Sequence, residues 1–177
     1  MKTTIIGSFV LACAACTNGQ GEVDVTASTA LTFPAAPAVV QQQAASLEAV
    51  TTDTLVTLDL QKDLASLSDL GTLSVSGSES SLSGGDLAFL RHIKATVAAA
   101  DGTMPEQLLC DVDVPRNATT MGLPLSISDS QVLAYLKEGK VSLHFFVTGA
   151  VSDKPLTLTH TLIAHMNVAV QRSVVKL

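Results

Sequence analysis

The sequence predicts an all-β protein, an antiparallel β-sandwich of about eight strands with one short helix, and three observations lead there. Apolar and polar residues alternate over many short runs, which is the period of a strand with one buried face. Proline, Asp-Gly and Ser/Gly punctuation separates those runs at the spacing of a sandwich rather than of strand–helix units. Helical spacing preceded by a start signal is clear in one place, after Ser128.

From Glu22 onward Val23, Val25, Ala27, Leu31 and Phe33 fall on one face of a strand and Asp24, Thr26, Ser28 and Thr32 on the other. Pro34 and Pro37 close it, because proline cannot donate to a ladder. Ala38 to Val50, with three successive glutamines, has helix-favouring composition but a poor apolar stripe, and reads either as one or two helical turns or as a loop. Thr54 to Leu60 and Thr72 to Ser76 are two further strands, and the Ser/Gly-rich text from Ser76 to Asp86 is expected to be an exposed loop.

Leu87 to Leu90 forms an apolar plug, after which Ile93, Ala95 and Val97 alternate up to a turn at Asp101-Gly102. Gln107 to Val114 is a strand stopped by Pro115, with Leu108, Cys110, Val112 and Val114 expected to point inward together. Met121, Leu123, Leu125 and Ile127 make one more strand, and Pro124 on the opposite parity suggests an edge position. Ser128 with Gln131 three residues later is a capping box, and Val132, Tyr135 and Leu136 follow at helical spacing, so a short helix ends near Gly139.

Two long strands close the chain. Val141, Leu143, Phe145 and Val147 alternate in the first, and Leu156, Leu158, Leu162, Met166, Val168 and Val170 in the second. Ser152-Asp153-Lys154-Pro155 supplies the turn, so the pair reads as a last hairpin.

At 177 residues the chain has the length of a single domain with a real core. Its apolar content of 47% comes mainly from Ala, Val and Leu scattered through Ser- and Thr-rich text. Uninterrupted apolar stretches fall far short of the ~18 residues of a membrane-spanning helix. The formal charge is −6, and the ten basic residues are dispersed, which argues against nucleic acid as a partner.

Lys2, the apolar stretch from Ile5 to Ala15 and the small residues at its end have the anatomy of a signal peptide. Ala14-Ala15-Cys16 is similar to the box at which a bacterial lipoprotein is cut and acylated, and Val10-Leu11-Ala12-Cys13 is a weaker rival, because the apolar stretch before Cys13 is short. The expected organisation is therefore a lipoprotein signal peptide over residues 1–15, a lipidated tether over 16–21 starting at Cys16, and one β-sandwich domain over 22–177. Two or more acyl chains, at ~0.8 kcal/mol per buried CH₂, hold a protein on a membrane almost permanently. Without Asp at position 18, which is Asn18, the sorting rule of enteric bacteria would favour the outer membrane. Cutting at Cys16 leaves Cys110 as the one cysteine of the domain, expected to be a buried, inert thiol.

Four histidines, His92, His144, His160 and His165, invite a metal reading. His160 and His165 are five apart and face opposite sides of one strand, and His144 would need to reach one of them across the last hairpin. With no third ligand at a fixed spacing, no metal site is expected. Asp111 and Asp113 share a face, where with Asp101 or Asp129 they resemble a calcium or paired-carboxylate set less than they resemble a wet outer face. There is no Gly-x-Ser-x-Gly elbow for a serine nucleophile, and Gly84-Gly85 lacks the Lys of a phosphate loop. Sugar-binding platforms use exposed aromatics, whereas this chain has no Trp, one Tyr (Tyr135) and five Phe, of which Phe9 lies in the leader.

The leader, Leu73-Ser74-Val75, the run Asp86-Leu87-Ala88-Phe89-Leu90-Arg91-His92-Ile93 and the late strand pair around Val147-Thr148-Gly149 together resemble a group of uncharacterised predicted lipoproteins common in myxobacteria. That resemblance implies an envelope address and an all-β domain, with no activity to carry over. The expectation is a non-catalytic envelope module, with no cofactor, bound to the membrane through its anchor and presenting loops or a sheet edge to an envelope protein partner. The alternative is a carrier that holds a hydrophobic ligand such as a lipid between its two sheets, and an inter-sheet cavity is the feature that separates the two.

Overall fold

A computed structural model of the chain describes residues 20–36, 38, 50–59, 71–138, 140–150 and 152–170. The signal peptide, Cys13, Cys16, most of the tether, the alanine- and glutamine-rich segment 39–49 and Gly139 lie outside the described residues.

Eight strands are described: β1 (Gln20–Phe33), β2 (Val50–Asp59), β3 (Gly71–Ser83), β4 (Leu90–Ala99), β5 (Gln107–Asp113), β6 (Thr120–Leu123), β7 (Lys140–Gly149) and β8 (Leu156–Val170). A 3-10 turn (Gly85–Phe89) precedes β4, and one α-helix, α1 (Asp129–Glu138), precedes β7. The strands form two four-stranded sheets, ordered β1-β8-β3-β6 and β2-β7-β4-β5, and all their pairings are antiparallel.

The pairing is nested: β4 with β5, β3 with β6, β2 with β7 and β1 with β8. One long antiparallel ribbon, folded at its middle and wrapped around the core, gives this order, and the β3–β8 and β4–β7 pairings close each sheet. That is the jelly-roll arrangement of an all-β sandwich. The expected last hairpin therefore does not exist. β7 and β8 are consecutive but lie in opposite sheets.

The expected inner faces pack as the core. Leu31, Phe33, Leu82, Ile93, Phe145, Leu158 and Met166 are almost fully buried between the sheets, and full burial of side chains of this size contributes about 1.5–3 kcal/mol each. The capping box forms: the Ser128 N–H donates to Gln131 Oε1 (2.9 Å) and the Gln131 N–H to Ser128 Oγ (3.4 Å). Buried Val132, Tyr135 and Leu136 then turn α1 onto the core, and the Tyr135 hydroxyl donates to the Pro105 carbonyl at 2.7 Å.

Three expectations fail, two of them where a strand carries an extra residue and one where a strand ends early. The segment from Ser76 to Ser83 is strand rather than loop, because β3 bulges at Ser76 between Val75 and Gly77 and continues along β8. The bulge flips the parity, so Leu73 is buried before it and Ser80 and Leu82 after it. In β5 the partners step from Cys110 opposite Ala95 to Leu108 opposite Thr96, so Leu109 is extra. Leu109 turns inward, its carbonyl accepts the Ser126 N–H at 2.7 Å, and Leu108, expected inside, is 40% exposed. β6 ends at Leu123 rather than Ile127: beyond Pro124 the chain leaves the edge of the first sheet, and Leu125 and Ile127 pack half-buried against the core.

Two boundaries also move. β2 begins at Val50, ahead of the expected Thr54, and the first sheet already includes Gln20 and Gly21, which the expected organisation assigns to the tether. The two ends of the sandwich are distinct. Gln20, Gly71, Ala169, the loop 100–106 and α1 lie at one end; the loops 34–36, 84–89, 114–119 and 152–155 lie at the other. β1 alone, at 14 residues, separates them by about 45 Å.

Candidate functional site

Chemistry-bearing side chains occur in two settings, the space between the sheets and the outer sheet faces. Between the sheets, His160 on β8 has the parity of Leu158 and is completely buried. Its Nε2 lies 2.9 Å from the hydroxyl of buried Ser80 on β3, and its ring packs 5.0 Å from that of Phe145 in the facing sheet. His160 Nδ1 is the one buried side-chain nitrogen or oxygen among the described residues with no hydrogen-bond partner. Burial without a counter-charge pushes the pKa of His160 down to about 4, so the ring is neutral at physiological pH.

His160 lines an inter-sheet cavity of about 30 Å³ together with Val97, Leu109, Leu143, Val132 and Tyr135, the last two from α1. That volume admits a water or two. Ser80 and His160 have the atoms of an acyl-transfer pair, but no carboxylate holds Nδ1, and His160 is fully buried and Ser80 nearly so.

The outer faces carry the other three histidines, each bridged to a carboxylate on a neighbouring strand. His92 on β4 donates from Nδ1 to Asp113 (2.9 Å) and from Nε2 to Asp111 (2.8 Å), both on β5. His144 on β7 donates from Nε2 to Asp53 on β2 (2.8 Å) and packs on Phe146, 4.1 Å between ring centres. His165 on β8 donates from Nδ1 to Asp24 on β1 (2.7 Å), with Glu79 of β3 3.8 Å from Nε2. The hydrogen bond to Asp113 raises the pKa of His92 above the ordinary histidine value, aided by the charge of Asp111, and the hydrogen bond to Asp24 does the same for His165. Two carboxylates on opposite nitrogens fit a doubly protonated ring.

β1, β2 and β5 are edge strands, so each of these three bridges fastens an edge to its inner neighbour. His144 stands on the outer face of one sheet and His160 on the inner face of the other, so the approach that a shared metal would need does not occur between them. Asp111 and Asp113 serve His92, while Asp101 accepts the Thr103 N–H (3.0 Å) at the opposite end of β4 and Asp129 accepts from Ser78 (3.3 Å). No group of three or more His, Cys, Asp or Glu side chains is arranged to hold a metal ion among the described residues. Cys110 is buried with no disulfide partner, and burial pushes its thiol pKa up to about 11, which makes it a poor nucleophile.

Sequence reasoning places Asp111 and Asp113 correctly on an outer face but misses Ser80 and the Ser80–His160 pair. The inward parity of His160 with Leu158 and Leu162 was available in the text of β8. Ser80 was not, because the bulge at Ser76 hides the strand that carries it.

Fold and site together define a jelly-roll β-sandwich whose histidines brace its sheets. No protein-family model matches the chain, and no curated protein matches it. Among solved structures, the decameric BFDV capsid protein is similar at 9% identity and TM-score 0.45, over 84% of this chain and 98% of that one. Infectious bursal disease virus, Gx strain, is similar at 13% identity and TM-score 0.38, over 92% of this chain and 38% of that one. TmCBM61, solved with β-1,4-galactotriose, is similar at 8% identity and TM-score 0.31, over 96% and 88%.

Proposed function

We propose that this chain is a non-catalytic lipoprotein of the cell envelope, anchored by acyl chains on Cys16 and acting as a structural or protein-interaction module through its sandwich domain. Ala14-Ala15-Cys16 after an apolar stretch supports the anchor, and Asn18 favours the outer membrane. The observation that carries the choice of module over lipid carrier is the size of the inter-sheet cavity. At about 30 Å³ it is an order of magnitude below the ~300–1,000 Å³ of pockets that enclose a small organic ligand. The burial of His160, with no carboxylate on its Nδ1, and the raised thiol pKa of Cys110 support a non-catalytic role.

The test is the intact mass of the protein from the membrane fraction beside a Cys16→Ser variant. The expected mature chain starts at Cys16 and carries diacylglycerol and acyl mass that the variant lacks. An unmodified soluble chain would remove the anchor, and a lipid co-purifying non-covalently with the domain would favour the carrier.

A further inference from the structure

We infer that two copies of this chain associate by pairing their β1 strands antiparallel about a two-fold axis, which extends the first sheet from four strands to eight. The two sides of the sandwich are closed very unequally. On one side α1 spans both sheets: the Ser78 hydroxyl of β3 donates to Asp129 at 3.3 Å, and the Gln131 amide donates to Gln107 of β5 at 2.7 Å. β6, the edge of the first sheet on that side, is four residues long and ends before Pro124, and β5 is bulged at Leu109. Shortness, proline, a bulge and a covering helix are devices that keep a sheet edge from pairing with another chain.

β1, on the other side, has none of them among the described residues. It runs for 14 residues at the edge of the first sheet and pairs with β8 from Gln20 to Phe33 without a register shift. It contains no proline, lysine or arginine. Alternate residues of an edge strand turn their N–H and C=O groups away from the sheet, and among the described residues no backbone bond reaches β1 from that side. An unbroken edge of this length is a template for a further strand.

The residues of β1 favour a second copy of β1 as that strand. Its two charges, Glu22 and Asp24, lie near one end, and Val25 to Phe33 carries none. Antiparallel pairing centred on Ala27 sets Glu22 opposite Thr32 of the second copy and Asp24 opposite its Ala30, whereas a parallel arrangement sets acid beside acid. The same register matches the faces: buried Val23 and Val25 meet Leu31 and Thr29 on the inner face, and Thr26 meets Ser28 on the outer. Pairing over residues 21–33 forms about 12 backbone hydrogen bonds, within the roughly 10 ± 5 of a stable interface. The contact is closed, so each copy caps the other's edge rather than continuing into a fibre. β2, the neighbouring edge of the second sheet, carries Asp53 near its middle, and self-pairing there would bring two copies of that carboxylate close together. The pairing does not rest on the lipid anchor; with the two-fold axis normal to a bilayer, both copies hold Gln20 at the same height.

Ala30 supplies the test. It is exposed on the outer face of β1, opposite Thr159 of β8, and no charged residue occupies the adjoining positions of either strand. In the pair it falls beside Asp24 of the second copy. Sedimentation equilibrium of the full-length Cys16→Ser protein, which cannot associate through shared acyl chains, should show monomers in equilibrium with dimers. Ala30→Glu should weaken the dimer about tenfold, the effect of two like-charge contacts, and Ala30→Lys should not weaken it. Thermal melts at monomeric concentration check that both variants fold. A dimer that responds equally to the two substitutions overturns the inference. So does a parent that stays monomeric at every concentration, and hydrogen exchange then says what the edge does instead. Protected outward amides on β1 mean that another segment of the chain covers it, and exchanging ones leave it open to a strand from a different protein.

Discussion

Ser80 Oγ and His160 Nε2 lie 2.9 Å apart between the sheets, where they form a buried polar contact that links two adjacent strands in an apolar setting. Ser80 Oγ and His160 Nε2 satisfy each other, while His160 Nδ1 has no hydrogen-bond partner. The arrangement costs stability in one protonation state and supplies it in another.

Removing one member leaves the other unpaired. Ser80→Ala should destabilise the domain by about 1–3 kcal/mol, the cost of stranding a buried polar nitrogen. His160→Leu should also destabilise it, but the double variant should cost less than the two singles together, with a coupling on the order of 1 kcal/mol. Urea unfolding of the four proteins measures the cycle, and strict additivity would mean that the contact contributes nothing.

Acid should unfold the protein through His160. Its folded pKa of about 4 lies below the unfolded value of 6.5, so the unfolded chain takes the proton first. Stability is then full above pH 6.5, falls as pH drops toward 4, and levels off below it, with a loss of about 3 kcal/mol at 1.36 kcal/mol per unit. His92 and His165 act in the opposite sense. Their raised pKa values give stability that is present below 6.5 and lost as pH rises through the folded values, a small effect because both rings are more than a third exposed. The unfolding midpoint followed against pH should therefore decline on the acid side in the parent and much less in His160→Leu.

Gly149 should tolerate no side chain. A Cβ there would meet the Phe89 carbonyl at 2.7 Å and the Leu90 Cα at 2.9 Å, both backbone contacts that cannot swing aside. Gly149→Ala should lower stability by about 1–3 kcal/mol, typical of overpacking, while Gly122→Ala, with open space around its position, should change it far less. Thermal melts of the two variants make the comparison, and equal melting temperatures would contradict the close packing of the 84–89 segment against β7.

The faces of β1, β4 and β7 were legible because Val23 to Phe33, Ile93 to Val97 and Val141 to Val147 keep one parity from end to end. β3 and β5 were misread where a single extra residue changes parity: Ser76 turns a serine-rich strand into apparent loop, and Leu109 sends Leu108 outward. A bulge is set by the partner strand and by bonds such as Ser126 to Leu109, neither of which is written near the bulged residue. For the same reason the Ser80–His160 contact, between residues 80 positions apart, was invisible, whereas the Ser128–Gln131 capping box, closed within three, was read correctly.

By itself the sequence determined the all-β class, the helix at its capped start, and the inward or outward face of the uninterrupted strands, because each of these depends on residues close together in the chain. Only the tertiary structure decided that β7 and β8 lie in opposite sheets, that three edge strands are each tied by a histidine to an inner neighbour, and that Phe89 stands exposed at the end of the sandwich opposite Gln20. Those outcomes depend on which strand meets which. Backbone hydrogen bonds in an antiparallel sheet are the same for any pair of strands, so the choice is made by the packing of the whole core rather than by any local run of residues.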